Sequence, residues 1–322
     1  MQPITNRETI HHDTEADWLA ARRRDVTSTE SAALFGMSPY LTTFELWHAK
    51  RSGSERPFQV NDRMRWGNRL EAAIAQGIAD EKGWQIAPMK SYMRLPDERI
   101  GSSFDFVILN HPSGKPAHLE IKNVDGLTFR QIWLRDDAEF PEAPEHIEMQ
   151  VQHQMMVSGF ELSYIGALVG GNESFVIERQ REDAVIAAMR AKIAQFWKSV
   201  DDGQEPAPVM PEDAAAVIRL NQYAEPDKIF NAANNAEIAS LIAEYRQAGN
   251  EEKDAAERKK VAQASLYALI GDAEKVIGDG WTMSASMVAD TPATVITADM
   301  VGSSYGGRKG YRQCRVTMKK ST

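Results

Sequence analysis

The fold turns on the stretch Ser103-Phe104-Asp105, followed by the turn-rich Asn110-His-Pro-Ser-Gly-Lys-Pro116 and then Ala117-His-Leu-Glu120-Ile121-Lys122. Residues 100–109 and 117–123 read as two strands, because a cluster of Asn, Pro, Ser and Gly between apolar runs is turn chemistry. Side chains alternate faces along a strand, so Glu120 and Lys122 share one face and Ile121 turns to the other. With the turn centred near Ser113, antiparallel pairing sets Asp105 roughly opposite Ile121. Asp105 and Glu120 then converge at one end of the hairpin, with Lys122 beside them. Two carboxylates that close repel each other unless a cation lies between them. Oxygen ligands without His or Cys suit Mg²⁺ or Mn²⁺ rather than zinc. Such an ion polarises a phosphoryl oxygen and acidifies a bound water, and Lys122 stands where it could orient that water. Acid-x-Lys alone is commonest as a solvated ion pair. A facing Asp and an upstream helical Glu make the set more specific. That Glu is Glu71, one turn after Gly67 in Trp66-Gly67-Asn-Arg-Leu-Glu71.

Outward from the hairpin, the period changes. Upstream, Thr14-Glu-Ala-Asp17 opens a helix, and a second begins near Ser28 and stops at Gly36. Thr42-Thr-Phe-Glu45 is a capping box for a third, and Asn61 would cap a long helix to Lys82. Residues 84–94 read as a strand. Downstream, a helix over 145–158 ends at Gly159, residues 162–169 and 174–179 form a hairpin around Gly170-Gly171-Asn172, and a helix runs from Asp183 to Val200. Helices, a short mixed sheet and more helices make an α/β or α+β core. Asp201–Pro208 reads as a linker, which gives a first domain over 1–208 and an appendage over 209–322. In the appendage, residues 234–270 predict one long helix or a helical hairpin with a solvated charged face, and 281–318 predict short strands.

The chain has 322 residues, 43% hydrophobic and 26% charged, the proportions of a globular protein rather than a disordered or collagen-like one. Its single cysteine, Cys314, excludes an intrachain disulfide and a cysteine-built zinc site, and suits a reducing compartment. No apolar run is long enough to span a membrane, and Met1–Asp13 lacks the apolar core of a signal peptide, so a soluble cytoplasmic protein is expected. Taken alone, the net charge of −9 argues weakly against a nucleic-acid partner, since phosphate binders usually carry excess Lys and Arg. Local basic clusters run the other way. Arg22, Arg23 and Arg24 are contiguous, and six basic residues without an acidic one lie between Arg308 and Lys320. His153 reads as either a further metal ligand or a core-edge histidine. Trp47, Trp66, Trp84 and Trp133 could stack on a splayed base, though packing is the commoner use of each.

Asp105 followed by Glu120-Ile-Lys122 matches the PD-(D/E)XK nuclease pattern. Trp18-x3-Arg22, Thr27-Ser-Thr-Glu30, Gly36-x-Ser38-Pro-Tyr40, Trp66-Gly67-x3-Glu71, Ser103-x-Asp105, Glu120-Ile-Lys122 and Gln150-Val-Gln152 follow in order. Over residues 13–200 the chain resembles the lambda exonuclease and YqaJ-like viral recombinase family. The resemblance implies a restriction-endonuclease-like core and a Mg²⁺-dependent exonuclease that resects duplex DNA from a 5′ end, leaving a 3′ single strand. It implies that Asp105, Glu120 and the Ile121 carbonyl hold metal, that Lys122 positions water, that Glu71 assists at the metal and water shell, and that Gln150 lies near the centre. Arg22 and Thr29 would bind the terminal 5′ phosphate, with Ser28 as the alternative hydroxyl and Ser103 as a further donor. The N-terminus of the second helix would add backbone N–H groups. The resemblance further implies a bacterial host cytoplasm, a single-strand annealing partner of the RecT/Erf type, and a homo-oligomer such as a ring-shaped trimer. Phe104 stands where the family usually has proline, and Ile147 where a tyrosine often precedes the glutamine pair.

Overall fold

The computed structural model describes residues 6–12, 14–52, 62–134, 140–279 and 281–287. Strand β1 (Glu8–His11) leads to helix α1 (Glu15–Arg23), whose first turn is capped where Asp17 N donates to Thr14 Oγ1 at 3.2 Å. Strand β2 (Val26–Thr27) follows, then a five-residue 3₁₀ helix, Ser31–Phe35, which Gly36 ends at φ 69°. Helix α2 (Thr43–Ser52) opens on the expected capping box, with Glu45 N donating to Thr42 Oγ1 at 3.0 Å and Thr42 N to Glu45 Oε2 at 3.4 Å. Helix α3 (Asp62–Lys82) precedes four short strands, β3 (Ile86–Pro88), β4 (Ser91–Leu95), β5 (Ile100–Ser102) and β6 (Phe106–Ile108). Next come β7 (Ala117–Val124), a helical turn α4 (Gly126–Thr128) running into a π turn over Phe129–Trp133, α5 (Glu145–Ser158), β8 (Leu162–Val169), β9 (Glu173–Gln180) and α6 (Asp183–Asp201). The chain continues through α7 (Ala214–Leu220), α8 (Ala236–Ile270), β10 (Lys275–Gly278) and β11 (Trp281–Ser284).

The central sheet has the order β3-β6-β7-β8-β9. Its neighbours are antiparallel except β7 and β8, which are parallel and joined by the α5 crossover. Strand alternation divides β7 cleanly. Leu119 and Ile121 pack with Ile74, Ala75 and Ile78 of α3, while Val124 joins Ile165, Ala167 and the α5 residues Ile147 and Val151 on the other face. Gly166 lets α3 approach the sheet, since a Cβ there would meet Ile78 Cδ1 at 2.7 Å. Each large side chain buried this way stabilises the fold by about 1.5–3 kcal/mol. Ile165→Ala would open a cavity costing about 2–5 kcal/mol. This short mixed sheet flanked by helices is the α/β core expected from the sequence.

A second sheet has the order β1-β4-β5-β2. Its core joins Leu95 and Ile100 to Leu46 and Trp47 of α2, Met156 and Val157 of α5, and Met189, Ile193 and Phe196 of α6. Helix α5 therefore serves two cores, one at each end.

Residues 84–94 and 100–109 each divide between the two sheets rather than forming single strands. β3 and β6 belong to the central sheet and β4 and β5 to the other. Alternation reports a strand but not which sheet it joins. The second crossing, at Ser103–Asp105, puts Asp105 at the junction. The expected helix near Ser28 is the short 3₁₀ helix, and residues 236–270 form one continuous helix rather than a hairpin. Asn61, most of 281–318, the basic cluster from Arg308 to Lys320, and Cys314 lie outside the described residues.

The chain divides into two compact units, Met1–Ile218 and Arg219–Thr322, beyond the boundary expected at 208. Asp213 is fully buried within the first unit, accepts from the Thr42 hydroxyl and from Val209 N, and so draws residues 209–218 onto it. No helix among the described residues is long and apolar enough to cross a membrane.

Candidate active site

The ladder of β6 and β7 pairs Phe106 with Leu119, so continuing the register sets Asp105 beside Glu120, one residue from the sequence expectation of Ile121. The carboxylate still reaches Ile121, accepting its backbone N–H on Oδ2 at 2.8 Å. Glu120 is buried, and both its oxygens are held. Oε1 accepts from Lys122 Nζ at 2.6 Å and Gln150 Nε2 at 2.5 Å, and Oε2 accepts from Gln154 Nε2 at 2.7 Å. Lys122 Nζ also donates to Gln150 Oε1 at 3.1 Å. Gln150 and Gln154 stand one turn apart on α5, which presents both amides to the same strand. Sequence reading passed over Gln154, although its i, i+4 spacing from Gln150 is a signal that could have found it.

Burial, and then the negative charge of Glu120, push Asp105 well above the ordinary carboxylate range, with Lys122 offsetting only part. Glu71 on α3 is raised for the same two reasons, which sets it within electrostatic reach of the pair. Burial works against the Lys122 ammonium, but Glu120 and Asp105 prevail and hold it charged. Among the described residues no three His, Cys, Asp or Glu side chains close into a metal-binding group. The fit to a divalent cation rests instead on the buried Glu120 and the half-buried Asp105, an acid pair whose like charges oppose each other. Such all-oxygen donors suit a hard cation that keeps several waters.

A second cluster gathers around α1. Arg22 Nη2 donates to Thr29 Oγ1 at 3.1 Å, and the guanidinium lies 4.5 Å from the centroid of Trp18. Trp18 Nε1 in turn donates to Ser103 Oγ at 2.8 Å. Arg22, Thr29 and Ser103 thus share one surface, and Ser103 stands two residues before Asp105. Ser28 departs from this set. It is buried, with its hydroxyl paired to Ser102 at 2.9 Å, so Thr29 is the exposed hydroxyl of the two. The helix expected to supply backbone donors here is one short 3₁₀ segment, too short to sum a useful dipole. Side chains brace the turn instead. Glu30 Oε2 accepts from Thr27 N at 2.9 Å, and Lys50 Nζ donates to Asp25 O at 2.7 Å and to Glu30 at 3.0 Å. Burial opposes the Glu30 charge, but Lys50 outweighs it and holds the carboxyl below its usual range. Asp25 is fully buried and takes both Nε and Nη2 of Arg94, at 2.9 and 2.8 Å. Lys50 and Asp25 were not visible as site supports in the sequence, because they meet the turn from separate elements.

The remaining candidates resolve into packing. His153 is buried and meets Gly101 O through Nε2 at 3.1 Å, so it is a core histidine. Gln152 ties α5 to the end of β9, donating to Gln180 O at 2.8 Å and accepting from Glu182 N at 2.9 Å. Trp47 and Trp133 are buried, and Trp84 packs on Tyr164 with centroids 4.7 Å apart. Only Trp66 among the four is exposed, with Arg69 over its ring at 5.2 Å. Phe104 fills its position by packing on His118, centroids 4.6 Å apart.

A mixed sheet carrying an acid pair and a lysine at a strand crossing defines an α/β domain with a candidate site for a divalent cation. Residues 17–161 match the family model of the YqaJ-like viral recombinase domain. It is 26% identical over 236 residues to the uncharacterized protein YqaJ of Bacillus subtilis (strain 168), covering 70% of each chain. Among solved structures it resembles an alkaline exonuclease from Laribacter hongkongensis, with 19% identity, 63% of this chain and 99% of that one covered, and a TM-score of 0.47. It also resembles a phage-related exonuclease from Haemophilus somnus 129PT, with 16% identity, 60% and 89% covered, and a TM-score of 0.41.

Proposed function

We propose that the first unit is a Mg²⁺-dependent exonuclease, with Mn²⁺ able to substitute, that degrades duplex DNA 5′→3′ from phosphorylated ends and leaves 3′ single strands. The observation that carries this reading is the linkage of two sites through one short segment. Arg22 bonds Thr29 and lies over Trp18, Trp18 bonds Ser103, and Asp105 follows two residues later beside Glu120. A guanidinium and a hydroxyl suit a terminal phosphate dianion, which carries more charge than an internal diester.

Asp105, Glu120 and the Ile121 carbonyl would hold the cation. It would supply charge to a phosphoryl oxygen and a water of lowered pKa. Lys122 leaves its bond to Glu120 to hold the attacking water, and Gln150 keeps the ammonium aligned. Glu71, within electrostatic reach of Glu120, would accept a hydrogen bond from a water held there. Water adds to phosphorus, the P–O3′ bond breaks, and the departing 3′ oxygen takes a proton. The next nucleotide keeps its 5′ phosphate, so every cut renews the group that Arg22 and Thr29 recognise. The match to a viral recombinase domain supports a role in recombination beside a single-strand annealing protein.

The test is digestion with Mg²⁺ of three substrates: linear duplex with 5′ phosphate, the same duplex with 5′ hydroxyl, and a covalently closed circle. The phosphorylated linear duplex should be degraded fastest and the circle should survive. Cutting of the circle would instead identify an endonuclease. No cleavage of any substrate in Mg²⁺ or Mn²⁺ would leave a DNA-end-binding module.

A further inference from the structure

Helix α8 is 35 residues long, about 52 Å at 1.5 Å per residue, and none of its residues is buried. Leu241 is 57% exposed, Tyr245 56%, Leu266 43% and Leu269 84%. These four fall on one seam, with Ile242 on its flank and Val261 and Tyr267 outside it. Taking Ile238 as position a of a heptad, the a positions are Ile238, Tyr245, Glu252, Lys259 and Leu266, and the d positions are Leu241, Ala248, Ala255, Ala262 and Leu269. This is a coiled-coil seam, apolar at both ends and polar in the middle. Gly249 lies on the flank of that middle with open space around it, where a glycine costs about 1 kcal/mol relative to alanine unless another backbone comes close.

We propose that α8 associates with α8 of a second copy of this chain, as an antiparallel two-helix coiled coil with two-fold symmetry. The seam selects both occupant and direction. A parallel pair would stack Glu252 on its own copy and Lys259 on its own copy, burying like charges at two core layers. The antiparallel arrangement, which layers a against d, sets Ile238 against Leu269, Leu241 against Leu266 and Tyr245 against Ala262. It also sets Ala248 against Lys259 and Glu252 against Ala255. Large residues fall at the ends and small ones in the middle, where Gly249 meets Ala256 on the flank. The other flank brings Glu251 of each copy to Arg258 of its mate, an opposite-charge pair made twice by symmetry. The acidic run Glu251-Glu252 and the basic run Arg258-Lys259-Lys260 thus exchange partners across the axis. This inference stands apart from the activity of the first unit.

The experiment is the native mass of the full-length chain by light scattering and sedimentation. Leu241→Glu with Leu266→Glu should halve the wild-type mass with helical circular dichroism retained, since both side chains are exposed. Glu251→Arg should raise the dissociation constant by about tenfold, and adding Arg258→Glu should restore it. Direction is read by disulfide trapping in a Cys314→Ser background. A mixture of Ile238→Cys and Leu269→Cys chains should give a mixed disulfide dimer that neither gives alone. A monomeric wild type, a mass unmoved by the double leucine variant, or self-disulfides from Ile238→Cys alone would overturn the proposal. So would assembly of α8 only with an added annealing protein or DNA.

Discussion

Gln154 Nε2 donates to Glu120 Oε2 at 2.7 Å, on the opposite oxygen from Gln150 and Lys122. The buried carboxylate is therefore fixed from both sides by amides of one helix. Groups that orient a metal ligand typically contribute 10–100-fold in affinity or activity. Gln154→Leu, which keeps volume and loses the donor, should weaken Mn²⁺ binding by about that factor. Calorimetric titration of Mn²⁺ reads this without relying on turnover. Unchanged Mn²⁺ affinity would reduce Gln154 to a packing residue.

Asp105 carries a charge that its surroundings oppose, because it is half-buried and faces Glu120. Asp105→Asn keeps an oxygen for the Ile121 N–H but removes that repulsion. Cleavage should be lost while the metal-free protein melts several degrees higher, as expected when a site holds function at a cost in stability. Lys122→Met should lower cleavage by about 10²–10³ with DNA binding retained. A thermal scan without metal and a single-turnover assay check the two. A lower melting temperature for Asp105→Asn would mean that the carboxylate is a structural acceptor.

Alternation alone put Glu120 and Lys122 on one face of β7, and the opposite face of that strand carries the α3 core as the pattern implies. The facing Asp105 was legible to within one residue, because the turn between β6 and β7 is not symmetric about Ser113. What alternation could not show was the change of sheet at Ser103–Asp105, since side-chain period is the same in both sheets. That change is what brings the Trp18–Ser103 contact beside the acid pair. The braces Lys50 and Asp25 were illegible for a related reason. They act through tertiary contacts between α2, β4 and a turn, and no local pattern marks them.

Arg22 and Thr29 test the end-recognition reading. Arg22→Ala should slow digestion of 5′-phosphorylated duplex far more than of 5′-hydroxyl duplex, so that the two rates converge. Thr29→Val should do the same more mildly. Ser28→Ala, at a buried hydroxyl paired with Ser102, should instead lower stability by about 1 kcal/mol and leave the phosphate preference intact. Initial rates on the two duplexes at one salt concentration decide it. A preference that survives Arg22→Ala moves the role to Arg23 or Arg24.

His118 and His153 predict an acid-sensitive core. Burial lowers His118 to about 3 and His153 to about 4. Neither nitrogen of His118 has a hydrogen-bond partner among the described residues, and its ring lies between Phe104 and Phe160, centroids 4.6 and 4.3 Å away. Both rings are neutral in the fold, whereas an unfolded histidine titrates near 6.5. The unfolded state therefore binds more protons below that value. Their contribution is complete above pH 6.5 and is lost as pH falls toward 4 and then 3. By pH 5 each should have cost roughly 2 kcal/mol. His118→Phe keeps the stacked shape, breaks no hydrogen bond and removes the titration. Urea denaturation at pH 7 and pH 5 should show a smaller stability difference for this variant than for the wild type. An equal difference in both would place the acid sensitivity elsewhere, with His153 the next residue to replace.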